Sequence, residues 1–317
     1  MSASMRIAVL DDYQDVALQM ADWSEVDGAV DTFADHVVDP AKLVERLRPY
    51  DVVVLMRERT PFPAEVIEAL PGLRLIVSTG RRNKAVDVEA ARRCGITVSA
   101  TESPSQAPTE LTWALILGLA RHLVAEDRHL RGGGWQTTLG TDLAGRTLGV
   151  VGLGRIGTRV AAVGRAFEMR VLAHSRTLTS ERAEQAGASA MPMDTLLAEA
   201  DVVTVHVPLN DETRGLIGER ELAAMKAHAL LVNTSRAGIV DTDALVSALE
   251  GGRIGGAGLD VYDEEPLPAD HPLRRAPRTL LTPHIGYVTE NVYRVFFTGV
   301  VEDIVAFAAG APIRTLP

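Results

Sequence analysis

Cysteine is all but missing: Cys94 is the only one in 317 residues. No intrachain disulfide can form, and no Cys/His cluster has zinc-ligand spacing, so no metal is expected. Long apolar runs are missing as well. No stretch of 18 apolar residues would span a bilayer. No charged segment precedes a long apolar one near Met1, so the expected location is the cytoplasm. Positive charge is in short supply, with 32 Lys and Arg against 42 Asp and Glu and a formal net charge of -10. That argues against nucleic acid or an anionic membrane as partner. No period of 20–50 residues recurs, which excludes solenoids and propellers. What is present, 46% hydrophobic and 23% charged residues, suits a globular chain of one or two domains with a sizeable core.

Short apolar runs alternate with amphipathic segments. Arg6–Leu10, Val52–Met56, Leu75–Ser78, Thr97–Ser99, Thr147–Val151, Arg170–Ala173, Val202–His206, Leu230–Asn233, Gly256–Asp260 and Thr279–Thr282 read as strands. They are continuous runs, as in strands buried on both faces of a parallel sheet. Helix candidates such as Ala41–Arg48, Pro63–Leu70, Asp87–Arg93, Thr195–Ala200, Glu219–Met225 and Thr242–Glu250 lie between them. The alternation predicts a doubly wound α/β architecture.

One stretch is more specific. Gly152-Leu153-Gly154-Arg155-Ile156-Gly157 joins the apolar run ending at Val151 to a helix-like run from Thr158 to Phe167. A strand, a tight glycine turn and a helix start form a cradle for a dinucleotide pyrophosphate. This loop arrives so late that something of domain size must precede it. Thr109 to Leu130 reads as one long helix, apolar nearly all round over Leu111–Leu117, with Pro104 and Pro108 suited to a hinge before it. Its apolar face would be buried, bridging two domains or forming a dimer contact. The helix-like stretch Asn291–Phe307 would return to the first domain. The expected division is therefore 1–102 plus 289–317 as a substrate-binding lid domain, and 103–288 as a dinucleotide-binding domain.

Three later motifs follow strand candidates: Asn233-Thr234-Ser235-Arg236-Ala237-Gly238, Gly258-Leu259-Asp260-Val261-Tyr262 with Glu264-Glu265-Pro266, and Leu281-Thr282-Pro283-His284-Ile285-Gly286. Ligands of open α/β sheets bind at the carboxyl ends of strands. These ends carry a fixed cation, a carboxylate and an imidazole. Hydride transfer to or from a 2-oxo/2-hydroxy acid uses such a set. Arg236 would pair with the substrate carboxylate and polarise its carbonyl. His284 would exchange the proton on oxygen. Glu265 would orient the imidazole and favour its charged form. Taken singly, each has an ordinary structural reading; their order behind one glycine loop is what joins them.

At these residues the chain resembles the D-isomer-specific 2-hydroxyacid dehydrogenases, a family that includes phosphoglycerate dehydrogenase and the glyoxylate/hydroxypyruvate reductases. VVGLGRIG, HVPLNDETRGLIG, NTSRAGIVD, GLDVYDEEPLP and TPHIG stand in the family's order between Arg57 and Ile285. The resemblance implies two flavodoxin/Rossmann-like doubly wound parallel-sheet domains, an active site in the cleft and a homodimer. It implies Arg236, Glu265 and His284 as the catalytic set. It implies a cofactor site of Gly152, Gly154, Arg155, Ile156, Gly157, Ser175, Arg176, His206, Pro208, Thr213, Thr234, Ser235, Asp260 and Gly286, with Asp260 at the position that holds the nicotinamide amide. Arg57, Gly80, Arg81 and Arg82 would contact substrate.

Two departures refine this. NAD-preferring members end the second cofactor strand with an acid for the ribose hydroxyls. Here Ser175 and Arg176 stand there, which predicts NADP preference, NAD remaining possible. In the substrate loop Gly80 is kept, but Arg82 replaces the next glycine and Lys84 adds a cation. Either these cations face solvent, or the pocket takes a more anionic acid. The leading reading is reduction of glyoxylate or hydroxypyruvate. The alternatives are an NAD-dependent dehydrogenase of a more anionic D-2-hydroxy acid and, from another class, a dinucleotide-sensing co-repressor or scaffold.

Overall fold

The computed structural model describes residues 4–81 and 83–317; Arg82, one of the expected substrate contacts, lies outside the described residues. The chain divides into two compact units. One comprises residues up to Pro104 together with Val288–Pro317, the other Ser105–Tyr287.

The first unit holds β1 (Met5–Val9), β2 (Gly28–Thr32), α1 (Pro40–Leu47), β3 (Val52–Leu55), α2 (Ala64–Glu68), β4 (Leu75–Ser78), α3 (Val88–Arg93) and β5 (Thr97–Ala100). The strands form a parallel sheet in the order β2-β1-β3-β4-β5. Every residue of β3 and β4 is buried, the pattern expected of strands covered on both faces. Helix starts follow their capping residues: Asp39 precedes Pro40 and accepts from Ala41 N–H, and Asp87 accepts from Ala90 N–H.

The second unit holds α4 (Gln106–Ala120), α5 (Leu123–Arg131), β6 (Thr147–Val151), α6 (Arg155–Ala166), β7 (Arg170–His174), α7 (Ser180–Gln185), β8 (Ser189–Ala190), α8 (Met193–Glu199), β9 (Val202–Val205), α9 (Glu219–Ala224), β10 (Leu230–Asn233), α10 (Thr242–Glu250), β11 (Gly256–Leu259) and β12 (Thr279–Leu281). Its parallel sheet runs β12-β11-β10-β9-β6-β7-β8. The order reverses between β6 and β9, the switch point at which such sheets bind ligands. α11 (Glu290–Ala308) belongs to the first unit, where it packs on β4 and β5.

Three expectations need correction. The long helix over Thr109–Leu130 is broken at His122, which adopts a left-handed φ of 53°. Pro108 sits inside the first turn of α4, where its missing N–H costs nothing. The apolar face proposed as a dimer contact is used within its own unit. Trp113, Leu115 and Ile116 are buried, and α4 packs against α6, β10 and β11. The strands β2 and β8 are additional to those expected; both lie at sheet edges and neither contains a fully buried residue.

Candidate active site

His284 and Glu265 are brought together. His284 Nδ1 lies 2.6 Å from Glu265 Oε2, and Glu265 Oε1 accepts a 2.9 Å hydrogen bond from Tyr262 N–H. Both side chains are half-buried. Burial opposes ionisation of Glu265. The hydrogen bond and charge of His284, the Tyr262 N–H and the charge of Arg236 outweigh it and hold the carboxyl below its ordinary range. With Nδ1 engaged, Nε2 is the ring nitrogen left to exchange a proton.

His284 has a φ of 53°, a left-handed conformation that a non-glycine residue keeps only where its surroundings impose it. Asp260 imposes it. This residue, just past β11, is 1% exposed. Its Oδ1 accepts from Thr282 Oγ1 at 2.7 Å and Ile285 N–H at 2.8 Å, and its Oδ2 from Gly286 N–H at 2.8 Å. Tyr262 adds a bond from its hydroxyl to the Thr282 carbonyl at 2.9 Å. The residues on both sides of His284 are thus tied to β11. Burial pushes the Asp260 carboxyl above its ordinary range despite these donors and the nearby His284 charge. The sequence reading missed this clamping by Asp260, and Tyr262 with it. The only signal for it was a strand-terminal Asp in one motif and a Thr two residues before the His in another.

Arg236 follows β10 at the start of a 3-10 turn, Ala237–Ile239. Asn233 shapes the bend: its Nδ2 donates to the Arg236 carbonyl at 2.9 Å and its Oδ1 accepts from Ser235 N–H at 3.0 Å. Arg236 Nη1 donates to the Ser235 carbonyl at 2.7 Å. Ser235 Oγ donates to the Val207 carbonyl at 2.6 Å, and the hydroxyls of Thr234 and Thr112 are 2.8 Å apart.

The glycine turn can be tested for fit to a pyrophosphate residue by residue. Gly152 has a φ of +102°, and a Cβ there would come within 2.7 Å of the His206 backbone. A Cβ on Gly157 would stand 2.0 Å from the Gly152 carbonyl oxygen. Packing of the chain accounts for both. At Gly154 a Cβ would meet nothing within 4 Å. Gly154 is exposed and caps α6 without a side-chain hydrogen bond. First-turn N–H groups with no cap partner, beside open space, are what an external anion needs. The residues fit a dinucleotide. Arg155 and Ile156 open α6 at this point.

His206 follows β9 and donates its N–H to the Val151 carbonyl at 2.7 Å. Burial lowers its imidazole to about 4, so the ring is neutral, and its Nε2 has no hydrogen-bond partner among the described residues. Pro208 accepts from Thr213 Oγ1 at 2.6 Å. Ser175 Oγ accepts from Leu153 N–H at 2.9 Å, which ties the end of β7 to the glycine turn. Arg176 is paired: its Nε lies 3.1 Å from Glu212 Oε2. The carboxylate missing at the end of β7 in the sequence is therefore present in space, from the loop after β9.

In the first unit, Arg57 follows β3 with a φ of 56°. Its N–H donates to Thr79 Oγ1 at 2.9 Å, and its carbonyl accepts from Asn83 Nδ2 at 2.6 Å. Gly80 is favoured here by its φ of +86°, which strains any residue with a Cβ, and the Arg57 guanidinium occupies the space that a Cβ would take. Arg81 forms a two-pronged ion pair with Glu102 and is largely exposed. Among the described residues no group of three or more His, Cys, Asp or Glu could hold a metal, and no helix is long and apolar enough to cross a membrane.

Comparison with known proteins bears on this geometry. Residues 113–286 match the family described as D-isomer specific 2-hydroxyacid dehydrogenase, NAD binding domain. The chain is 41% identical to a glyoxylate reductase of Aeropyrum pernix over 279 residues, 84% of this chain and 83% of that one. It is 40% identical to a D-3-phosphoglycerate dehydrogenase of Archaeoglobus fulgidus over 276 residues, which are 86% of this chain but only 52% of that protein. The structure is similar to the crystal structure of a phosphoglycerate oxidoreductase from Vibrio cholerae, with a TM-score of 0.91 at 40% identity, covering 97% of this chain and 100% of that one.

Proposed function

The chain belongs to the D-isomer specific 2-hydroxyacid dehydrogenases, enzymes that use a nicotinamide dinucleotide, and we propose that it reduces a small 2-oxo acid, glyoxylate or hydroxypyruvate, with NADPH as the preferred reductant. The observation that carries the catalytic part of this reading is the 2.6 Å contact between His284 Nδ1 and Glu265 Oε2.

The dinucleotide would be held by the turn Gly152–Gly157, the first turn of α6, and the residues that follow β7, β9, β10 and β11. When bound, its nicotinamide supplies or accepts the hydride at C2 of the substrate. The remaining work is done by side chains. Arg236 pairs with the substrate carboxylate through its planar fork and draws electron density from the neighbouring carbonyl. Protonated His284 donates from Nε2 to the oxygen as the alcohol forms, and takes the proton back in oxidation. Glu265, kept ionised, fixes the ring tautomer and compensates the imidazolium charge. Asp260 holds the His284 loop in place for this exchange.

NADP preference is supported by Ser175 and Arg176 at the end of β7, where no carboxylate stands in the sequence to accept from the ribose. A small substrate is supported by the identity to glyoxylate reductases and by the Arg81–Glu102 pair. That pair neutralises one cation on which a more anionic substrate would rely. A homodimer is supported by exposed Leu123, Val124 and Leu130 along α5, and sedimentation would test it. Initial rates with glyoxylate and hydroxypyruvate, each with NADPH and NADH, test the whole. Turnover with NADPH ahead is expected. An NADH advantage of roughly tenfold, about 1.4 kcal/mol in transition-state binding, would overturn the cofactor assignment. Absence of turnover with any pairing would favour a dinucleotide-sensing role.

A further inference from the structure

Arg176 and Glu212 reach each other from different strands. Arg176 stands two residues beyond β7, whose end is tied to the glycine turn by the Leu153 N–H to Ser175 Oγ bond of 2.9 Å. Glu212 lies on the loop between β9 and α9, and that loop is internally braced. Asn210 Oδ1 accepts from the N–H groups of Glu212 and Thr213, both at 3.0 Å, and Thr213 Oγ1 donates to the Pro208 carbonyl at 2.6 Å. The bracing delivers the Glu212 carboxylate to the Arg176 guanidinium, Oε2 to Nε at 3.1 Å. The pair is exposed and both partners are long, so it is worth little to stability. Its interest is its place. Here a nucleotide-binding sheet of this order normally sets an acid for the ribose or a cation for a 2′-phosphate, and this chain sets both, one against the other.

We propose that Glu212 sets the enzyme's choice between the two dinucleotides. It supplies from the loop after β9 the carboxylate that the end of β7 lacks, and it competes with a 2′-phosphate for Arg176. This rests on reading Ser175 and Arg176 as the end of the adenosine ribose subsite. With Glu212 ionised, a 2′-hydroxyl finds an acceptor, whereas a 2′-phosphate must displace the carboxylate from the guanidinium and then lie beside a like charge. Arg176 pulls toward the phosphorylated dinucleotide and Glu212 blunts that pull. Neutralising Glu212 without changing its size leaves the whole guanidinium to the phosphate. It also leaves an unphosphorylated ribose a single neutral amide oxygen in place of the charged carboxylate acceptor.

The test is titration calorimetry of the full chain with NADP+ and NAD+, using the original sequence, Glu212→Gln, Arg176→Ala and the double variant, at low and at high salt. Glu212→Gln is expected to tighten NADP+ by roughly two- to fivefold, the scale of one exposed charge pair. NAD+ should be unchanged or weaker. The gain should shrink at high salt as screening grows, and vanish in the Arg176→Ala background. An unchanged ratio of the two dissociation constants in Glu212→Gln overturns the proposal. So does an equal change for both dinucleotides, or a gain that persists without Arg176. The underlying NADP preference is judged separately, from the original sequence and Arg176→Ala. If NAD+ binds more tightly there and Glu212→Gln still shifts the ratio toward NADP+, the preference falls and the role of Glu212 stands. If NADP+ is preferred and the ratio does not move, the reverse holds. Failure of either dinucleotide to bind overturns both.

Discussion

Glu265 holds His284 by one carboxylate oxygen, at 2.6 Å from Nδ1, while its other oxygen is held by the Tyr262 N–H at 2.9 Å. The carboxylate cannot turn away from the ring without giving up a backbone donor, so the imidazole is presented in one orientation. Replacing His284 by Ala removes the proposed proton donor and should lower kcat by roughly 100- to 10,000-fold, with the dissociation constant of the dinucleotide nearly unchanged. Glu265→Gln keeps the shape and loses the charge that would compensate an imidazolium. Its kcat should therefore fall, with dinucleotide affinity nearly unchanged. An unchanged kcat would show that Glu265 acts on something other than His284.

Asp260 should matter through the loop it clamps. An amide at this position cannot accept from Thr282 Oγ1, Ile285 N–H and Gly286 N–H together, because one of its two heavy atoms is a donor. Leaving a buried N–H without an acceptor costs about 1–3 kcal/mol, and here the unsatisfied groups flank the strained His284. Asp260→Asn is expected to lower both kcat and the unfolding midpoint, with a smaller effect on dinucleotide affinity. Thermal unfolding alongside steady-state kinetics would check it. Intact kcat would place the nicotinamide, rather than the His284 loop, as the main charge of this carboxylate.

The parts of this molecule that could be read from the chain are those in which neighbours in sequence do the work together. Buried strands such as Val52–Leu55 and Thr147–Val151 are continuous apolar runs, and the glycine turn carries its strand and helix on either side. Arg236, Glu265 and His284 each sit just past a strand, and parallel pairing of β10, β11 and β12 in register sets those ends side by side. What escaped the reading depends on distance along the chain. The edge strand Gly28–Thr32 has no continuous buried face to announce it. The Arg176–Glu212 and Arg81–Glu102 pairs join residues with no local pattern, so Arg176 and Arg81 read as free cations until the fold supplied their acids. The kink at His122 falls where apolar periodicity continues on both sides.

Asp303 gives a pH dependence with a definite sign. It lies on α11, fully buried, with Oδ1 accepting from Arg314 Nε at 2.9 Å and Oδ2 without a hydrogen-bond partner among the described residues. Burial pushes its carboxyl from the ordinary 3.8 up to about 6, against the pull of Arg314. The folded chain thus binds a proton more tightly than the unfolded one. Stability from this group is greatest below the unfolded value, falls as pH rises between the two, and is level above about 6. Asp303→Asn lacks this titration. The stability of the original sequence relative to Asp303→Asn should decline by about 1–3 kcal/mol between pH 4 and pH 7. Urea unfolding of both at several pH values would show it, and a constant difference would refute the assignment.

Two glycines of the turn, Gly154 and Gly157, separate folding from binding. At Gly157 an added Cβ would stand 2.0 Å from the Gly152 carbonyl oxygen, inside hard contact and against backbone that cannot swing aside. Gly157→Ala should therefore push α6 off β6 and lower the unfolding midpoint, losing dinucleotide binding as a consequence. At Gly154 the φ is negative and, its own neighbours in the chain aside, none of the described residues comes within 4 Å of the added methyl, so Gly154→Ala should leave the unfolding midpoint of the ligand-free protein unchanged. Yet the methyl would project over the N-terminus of α6, where a pyrophosphate must approach the backbone to reach its N–H groups. Affinity for NADP+ and NAD+ should then fall by a similar factor for both, since the obstruction lies at the phosphates they share and not at the ribose that distinguishes them. Unfolding curves without ligand, paired with calorimetric titration of each dinucleotide, test the contrast. Unaltered affinity in Gly154→Ala would mean that the pyrophosphate does not lie on this turn.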